Sequence, residues 1–332
     1  MIQPRLDYID LAKGLGVILM LAAHIDSFIL KDWTYSFHMP LFFVISGFCS
    51  NKKVVSKAFV SGVRSLLLPY IVVCLSIVFY FLCFQIANNY IKGSPFYLYQ
   101  LTDYLVWIPF SWGCLASHDI GIGVVWFLWA MFWGRIWKSL IDSYFPTNIR
   151  LFVSVLLFIT AIYLPIGPYN FWGFKQGMQA TVFLMLGASV KELDIFNNKN
   201  SCIWLGLCVL FLFASKYPID MSWWKYPLGI YNILTASILS LSFIWLCSNL
   251  DRVDSSHLSI FRKGLYYIGR NSLFFLCAEC FILSTQLLKP VMSMPFGVVF
   301  FTKLCLLLSL CFLISRTKIG RYIFKFNGQI FL

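Results

Sequence analysis

Residues 65–86 read SLLLPYIVVCLSIVFYFLCFQI, twenty-two consecutive positions without a charged side chain. A helix needs about 20 mostly apolar residues to cross the hydrocarbon core of a bilayer, so this stretch predicts a spanning helix. Similar runs occur on both sides of it: Leu11 to Phe28, Phe37 to Lys53, Gly121 to Leu140, Ile149 to Ile166, Gln176 to Val190, Ser201 to Ala214, Tyr226 to Leu250, Ser272 to Leu288 and Val291 to Ser315. Several are short, so tilt and local thinning of the bilayer must absorb the mismatch. Composition agrees: 60% of the 332 residues are hydrophobic and 12% charged, against about 45–50% and roughly 25% in soluble domains. The expected architecture is an all-α integral membrane protein, residues 1–332 forming a single bundle of about ten transmembrane helices.

The net charge of +13 would suit a nucleic-acid partner if it formed one patch. It is instead distributed by loop. With a cytoplasmic N-terminus, nineteen lysines and arginines fall on the cytoplasmic side and six lysines on the other, while Lys303 lies within the last run. Cytoplasmic loops are enriched in both residues, so the asymmetry predicts that both termini are cytoplasmic and argues against nucleic acid as a partner. The same basic rim fits two roles, a topology signal or an attractor of phosphate-bearing ligands and anionic lipid heads. Ten of the eleven cysteines, all but Cys114, lie in apolar runs or at their ends and read as small buried hydrophobes. No small-residue cleavage pattern follows Met1 to Asp10, so the first helix is expected to be retained. Between Ala87 and Ile120 stand Tyr90, Phe96, Tyr97, Tyr99, Tyr104, Trp107, Phe110 and Trp112. They fit an interfacial aromatic belt as well as they fit a surface for sugar rings.

Ionisable side chains inside a membrane mark function by default. Asp10, Lys13 and His24 fall within about 60° of one another on a helix turning about 100° per residue, with Lys13 and His24 about 16 Å apart along the axis. The second cluster is Ser36-Phe37-His38-Met39-Pro40-Leu41-Phe42-Phe43. Pro40 suits a first helical turn, where its missing N–H needs no partner, and this sets His38 near the depth of His24. Two imidazoles at one depth suggest a general base and its helper.

The stretch Arg5-Leu6-Asp7-Tyr8-Ile9-Asp10-Leu11-Ala12-Lys13-Gly14, then His24, then Ser36 to Phe43 with Ile45-Ser46-Gly47-Phe48, resembles the N-terminal signature of the membrane acyltransferase-3 family. The likeness is to its branch of fucose 4-O-acetylases and polysaccharide O-acetyltransferases. A basic residue, ten positions and a histidine mark that family in helix 1, and Lys13 with His24 fits. Arg64 with Leu68-Pro69-Tyr70, Trp126-Phe127-Leu128 and Gly269-Arg270-Asn271-Ser272-Leu273 follow in matching order. One departure stands out: where family members often carry a histidine eight residues after the asparagine, this chain has Glu279.

The resemblance implies transfer of an acyl group, usually acetyl, from acetyl-coenzyme A as co-substrate to a hydroxyl of a glycan or lipid-linked sugar, without a metal, in the bacterial cytoplasmic (inner) membrane and surrounded by membrane lipids. In that picture Arg5, Lys13, Arg64 and Arg135 hold the donor phosphates, His24 is the general base, and His38 orients the acceptor or stabilises the oxyanion. Asp10 positions Lys13 or Arg5, while Asn271 and Ser272 cap a helix or touch the donor. Trp126 and Glu279 are candidate substrate contacts. Glu279 is open to a second role, as the buried partner of Lys303. No Ser/His/Asp set, glycine-rich phosphate loop or metal-ligand spacing occurs, which favours direct transfer over an acyl-enzyme. From another class, a transporter or flippase of a glycan intermediate also places polar groups in helices, although the paired broken helices typical of such proteins are absent.

Overall fold

The computed structural model describes residues 6–92, 125–164, 171–193, 217–222, 224–253 and 256–326. Among these residues the regular structure is helical, with one isolated bridge between Asp220 and Lys225. The helices are α1 (Asp7–Ala23), α2 (Lys31–Tyr35), α3 (His38–Phe48), α4 (Val55–Gly62), α5 (Leu68–Lys92), α6 (Trp126–Tyr144), α7 (Arg150–Tyr163), α8 (Phe174–Leu193), α9 (Tyr231–Arg252), α10 (Ser256–Arg270), α11 (Ser272–Ser284), α12 (Phe296–Arg316) and α13 (Lys318–Phe324).

Each apolar run read from the sequence overlaps one of these helices except Ser201 to Ala214, which lies outside the described residues, as do positions 121–124 and 165–166 of two other runs. Three helices meet the length and composition needed to cross a bilayer alone: the continuous Val55–Asn88 rod, Tyr231–Arg252 and Phe296–Arg316. In the last of these only 22% of the apolar window is buried against protein. An outward face that apolar needs lipid, and the chain is a membrane protein.

The rod is continuous because its proline is absorbed locally. Pro69 has no N–H to offer the carbonyl of Ser65, and the hydrogen-bond ladder widens to a π turn over Val63–Leu67 before α5 resumes.

Helix α1 is the hub, packing against α9, α10, α3, α11 and α12. Its first turn carries Asp7 and Asp10, which complement the positive end of the helix dipole. Close approaches of backbone fix the rest. A Cβ on Gly47 would lie 2.0 Å from the Leu184 carbonyl oxygen, and one on Gly187 1.9 Å from that of Val44, so α3 and α8 meet backbone to backbone. Gly14 against Leu265 and Gly269 against Asp10 do the same for α1 and α10. Small residues permit this contact in a bilayer, where lipid offers no hydrophobic drive for helices to associate.

Helix α10 was not visible as an apolar run, because Arg262, Lys263 and Arg270 dilute its hydropathy. Its buried residues, Leu265, Ile268 and Gly269, nonetheless recur at helical spacing.

Candidate active site

Helix α1 ends at Ala23, and His24 caps it with φ −82° and ψ 6°. The imidazole therefore leaves the helix where the backbone turns, pointing across to α11. Its Nδ1 lies 3.2 Å from Glu279 Oε1. The same oxygen accepts from Lys303 Nζ on α12 at 2.8 Å, and the ammonium also donates to the Leu21 carbonyl at 3.3 Å. Glu279 is fully buried and Lys303 nearly so, while His24 keeps 12% of its side chain accessible. An ionised carboxylate accepts only, so Nδ1 carries a proton, and in the neutral ring Nε2 is left with the lone pair. Glu279 Oε2 is buried and has no hydrogen-bond partner among the described residues. Glu279 thus meets Lys303, the partner considered for it, and through the same oxygen also contacts His24, which neither of its considered roles included.

His38, the first residue of α3, is buried. Its Nδ1 donates to the Thr34 carbonyl at 2.9 Å, again leaving Nε2 as the acceptor of the neutral ring. Tyr35 stands between the two histidines, with ring centroids 6.3 Å from His24 and 5.1 Å from His38, both edge-on. Burial, then the charges of Asp220, Asp26 and Glu279, push the Tyr35 phenol up to about 12, so it remains a protonated donor at physiological pH.

About one helical turn from this group along α3 and α11 lies a cavity of about 510 Å³, within the usual range for small-molecule sites, whose lining includes neither histidine nor Glu279. Lys13, Arg135 and Ser272 line it, together with Lys53, Lys138 and several serines. Its apolar wall includes Phe42 and Leu276, respectively four residues after His38 and three before Glu279. Each is one helical turn, about 5.4 Å, from the histidine and carboxylate above. Arg135 donates to Ser46 Oγ at 3.1 Å and has no carboxylate partner among the described residues, so its charge is open to an anion.

Not every expected residue joins the site. Arg64 is exposed and lies over the Tyr322 ring, 5.4 Å from its centroid, away from the cavity. Asp10 binds Arg270 Nε at 3.2 Å, with Lys13 further off at 3.9 Å. Asn271 occupies the N-cap of α11 without a side-chain capping bond; its amide donates to the Tyr267 carbonyl at 2.9 Å. Trp126 is buried at the start of α6 and is not part of the cavity wall. Arg5 lies outside the described residues. The sequence reading missed the buried set in which Lys138 and Arg150 meet Asp142 at 2.6 and 3.2 Å. The i,i+4 spacing of Lys138 and Asp142 was the available signal. No cluster of three or more His, Cys, Asp or Glu side chains that could hold a metal occurs among the described residues.

A carboxylate-backed imidazole above a basic cavity suits a base acting on a hydroxyl beside an anionic donor, and residues 6–316 match the family model described as an acyltransferase domain. The chain belongs to the acyltransferase-3 family. Over 139 residues, 37% of the chain, it is 30% identical to the nodulation protein NolL of Mesorhizobium japonicum. That match spans 32% of the relative's length, about a third. No solved structure matches the chain.

Proposed function

We propose that the protein moves an acyl group, acetyl in the simplest case, from cytoplasmic acyl-coenzyme A to a hydroxyl of a glycan or lipid-linked sugar. In this reading the chain crosses a bacterial inner membrane about ten times with both termini in the cytoplasm, as the lysine and arginine asymmetry indicates. The observation that carries the chemistry is the contact of Glu279 Oε1 with both His24 Nδ1 and Lys303 Nζ.

The cavity residues fit a donor with a phosphate-bearing end and a long neutral arm. Arg135 and Lys13 face its charges, while the serines and Phe42 accommodate the arm. His24 Nε2 takes the proton of the acceptor hydroxyl as that oxygen bonds to the thioester carbonyl carbon. Glu279 stabilises the imidazolium that forms, a division of labour known from the carboxylate–histidine pairs of hydrolases. When the carbon–sulfur bond breaks, His24 returns the proton to the departing thiolate, giving an ester and free coenzyme A. Neutral His38 carries no proton on Nε2, so it suits accepting a hydrogen bond from the acceptor sugar rather than steadying an oxyanion. Tyr35 is the available donor beside both rings.

Purified protein given acetyl-labelled coenzyme A and membranes containing saccharide acceptors should release free thiol and label the saccharide. His24→Ala should lower that rate by about 10² to 10⁴. Wild-type protein that releases no thiol, as expected of a transporter, would overturn the proposal.

A further inference from the structure

Next to the donor cavity lies a second one of about 400 Å³, bounded by the link from α3 to α4, the end of α6, the start of α7 and the end of α8. The two share Ser50, Asn51, Lys138 and Asp142, so the buried Lys138–Asp142 pair forms the partition between them. Nothing in the transfer step uses this second space.

Its charge is lopsided. Lys52, Lys138, Arg150 and Lys191 face it against two carboxylates, Asp142 and Glu192. Asp142 is engaged by Lys138 and Arg150, and Glu192 by Lys52 at 3.1 Å. Lys191 donates to the Asn51 side-chain oxygen at 3.3 Å and has no carboxylate partner among the described residues. Arg135, its charge also unmatched, stands three residues before Lys138 on the same face of α6. Unmatched cations therefore occur on both sides of the partition, Arg135 on the first cavity and Lys191 on the second.

We infer that the second cavity receives the 3′-phosphorylated adenosine of the donor, while its diphosphate meets Arg135 at the partition and the acyl-pantetheine arm continues into the first cavity. The inference rests on coenzyme A being the donor. Both cavities carry an excess of cations, and the donor's charges divide with them: the 3′-phosphate lies by Lys191, the diphosphate by Arg135, and the neutral arm runs along serines and apolar side chains towards His24. Lys191 becomes a specificity-determining residue for the nucleotide, remote from the reacting atoms.

The test compares two donors, S-acetyl-coenzyme A and S-acetyl-pantetheine, which lacks the nucleotide. In Lys191→Glu the ratio of their kcat/KM values should fall about ten-fold, the worth of one charge-assisted phosphate contact. Lys191→Gln should fall in the same direction by less. With wild-type protein, adenosine 3′,5′-bisphosphate should compete with S-acetyl-coenzyme A. An unchanged ratio in both variants, or no competition, overturns the second cavity as the nucleotide site while leaving acyl transfer intact. Wild-type protein inert with both thioesters overturns the donor reading, and this site with it.

Discussion

Glu279 binds two partners through one oxygen, and substitution can separate what each contact does. Glu279→Gln keeps the shape but removes the charge that favours a protonated His24; kcat should fall about 10² to 10⁴. Lys303→Met leaves the buried carboxylate without its ammonium, and breaking a buried pair from one side costs about 3–5 kcal/mol. Thermal unfolding in detergent should therefore show Lys303→Met well below wild type. The double variant Glu279→Gln/Lys303→Met should recover much of that loss and remain inactive. A double variant with wild-type turnover would remove Glu279 from the chemistry. The Lys303 partnership was legible because both residues are rare charges in apolar runs, and such charges are buried in pairs. Its extension to His24 was not, since a contact between residues 255 positions apart leaves no local spacing to read.

The helices that carry the site are set by close packing more than by propensity. A Cβ at Gly187 would come 1.9 Å from a carbonyl oxygen of α3, so Gly187→Ala must push α3 and α8 apart. The cost should be about 1–3 kcal/mol, typical of overpacking, with lost activity because α3 carries His38 and the Phe42 wall. Gly264→Ala, in α10 with nothing within 4 Å of the added carbon, should be neutral or gain about 0.5–1 kcal/mol. Equal melting temperatures for the Gly187→Ala variant and wild type would contradict the backbone contact. Most of the long helices were readable from apolar runs, whereas two features were not. The π turn at Val63–Leu67 interrupts the regular repeat of faces around Arg64, and that side chain lies over Tyr322 while its neighbours Ser61 and Ser65 line the cavity. The charges of α10 hid a helix that packs along α1.

At the scale of the whole molecule, the coenzyme A thioester of the proposed reaction would come from the cytoplasm and cannot cross lipid, so that reaction requires the cavity mouth to open to that side. Cys49 offers a native reporter, because it is exposed and lines this cavity beside Ser46 and Arg135. A membrane-impermeant maleimide should label Cys49 in inverted vesicles and fail to do so in right-side-out vesicles, as read by mass spectrometry of the peptide that contains it. Acetyl-coenzyme A added first should slow that labelling, since the arm would lie against the thiol, whereas Cys83 and Cys305, exposed on α5 and α12, should be unaffected by the donor. Labelling of Cys49 only from the opposite face would invert the topology drawn from the charge asymmetry. It would also detach the basic cavity from its donor, because a coenzyme A thioester would then have no route to Arg135 or His24.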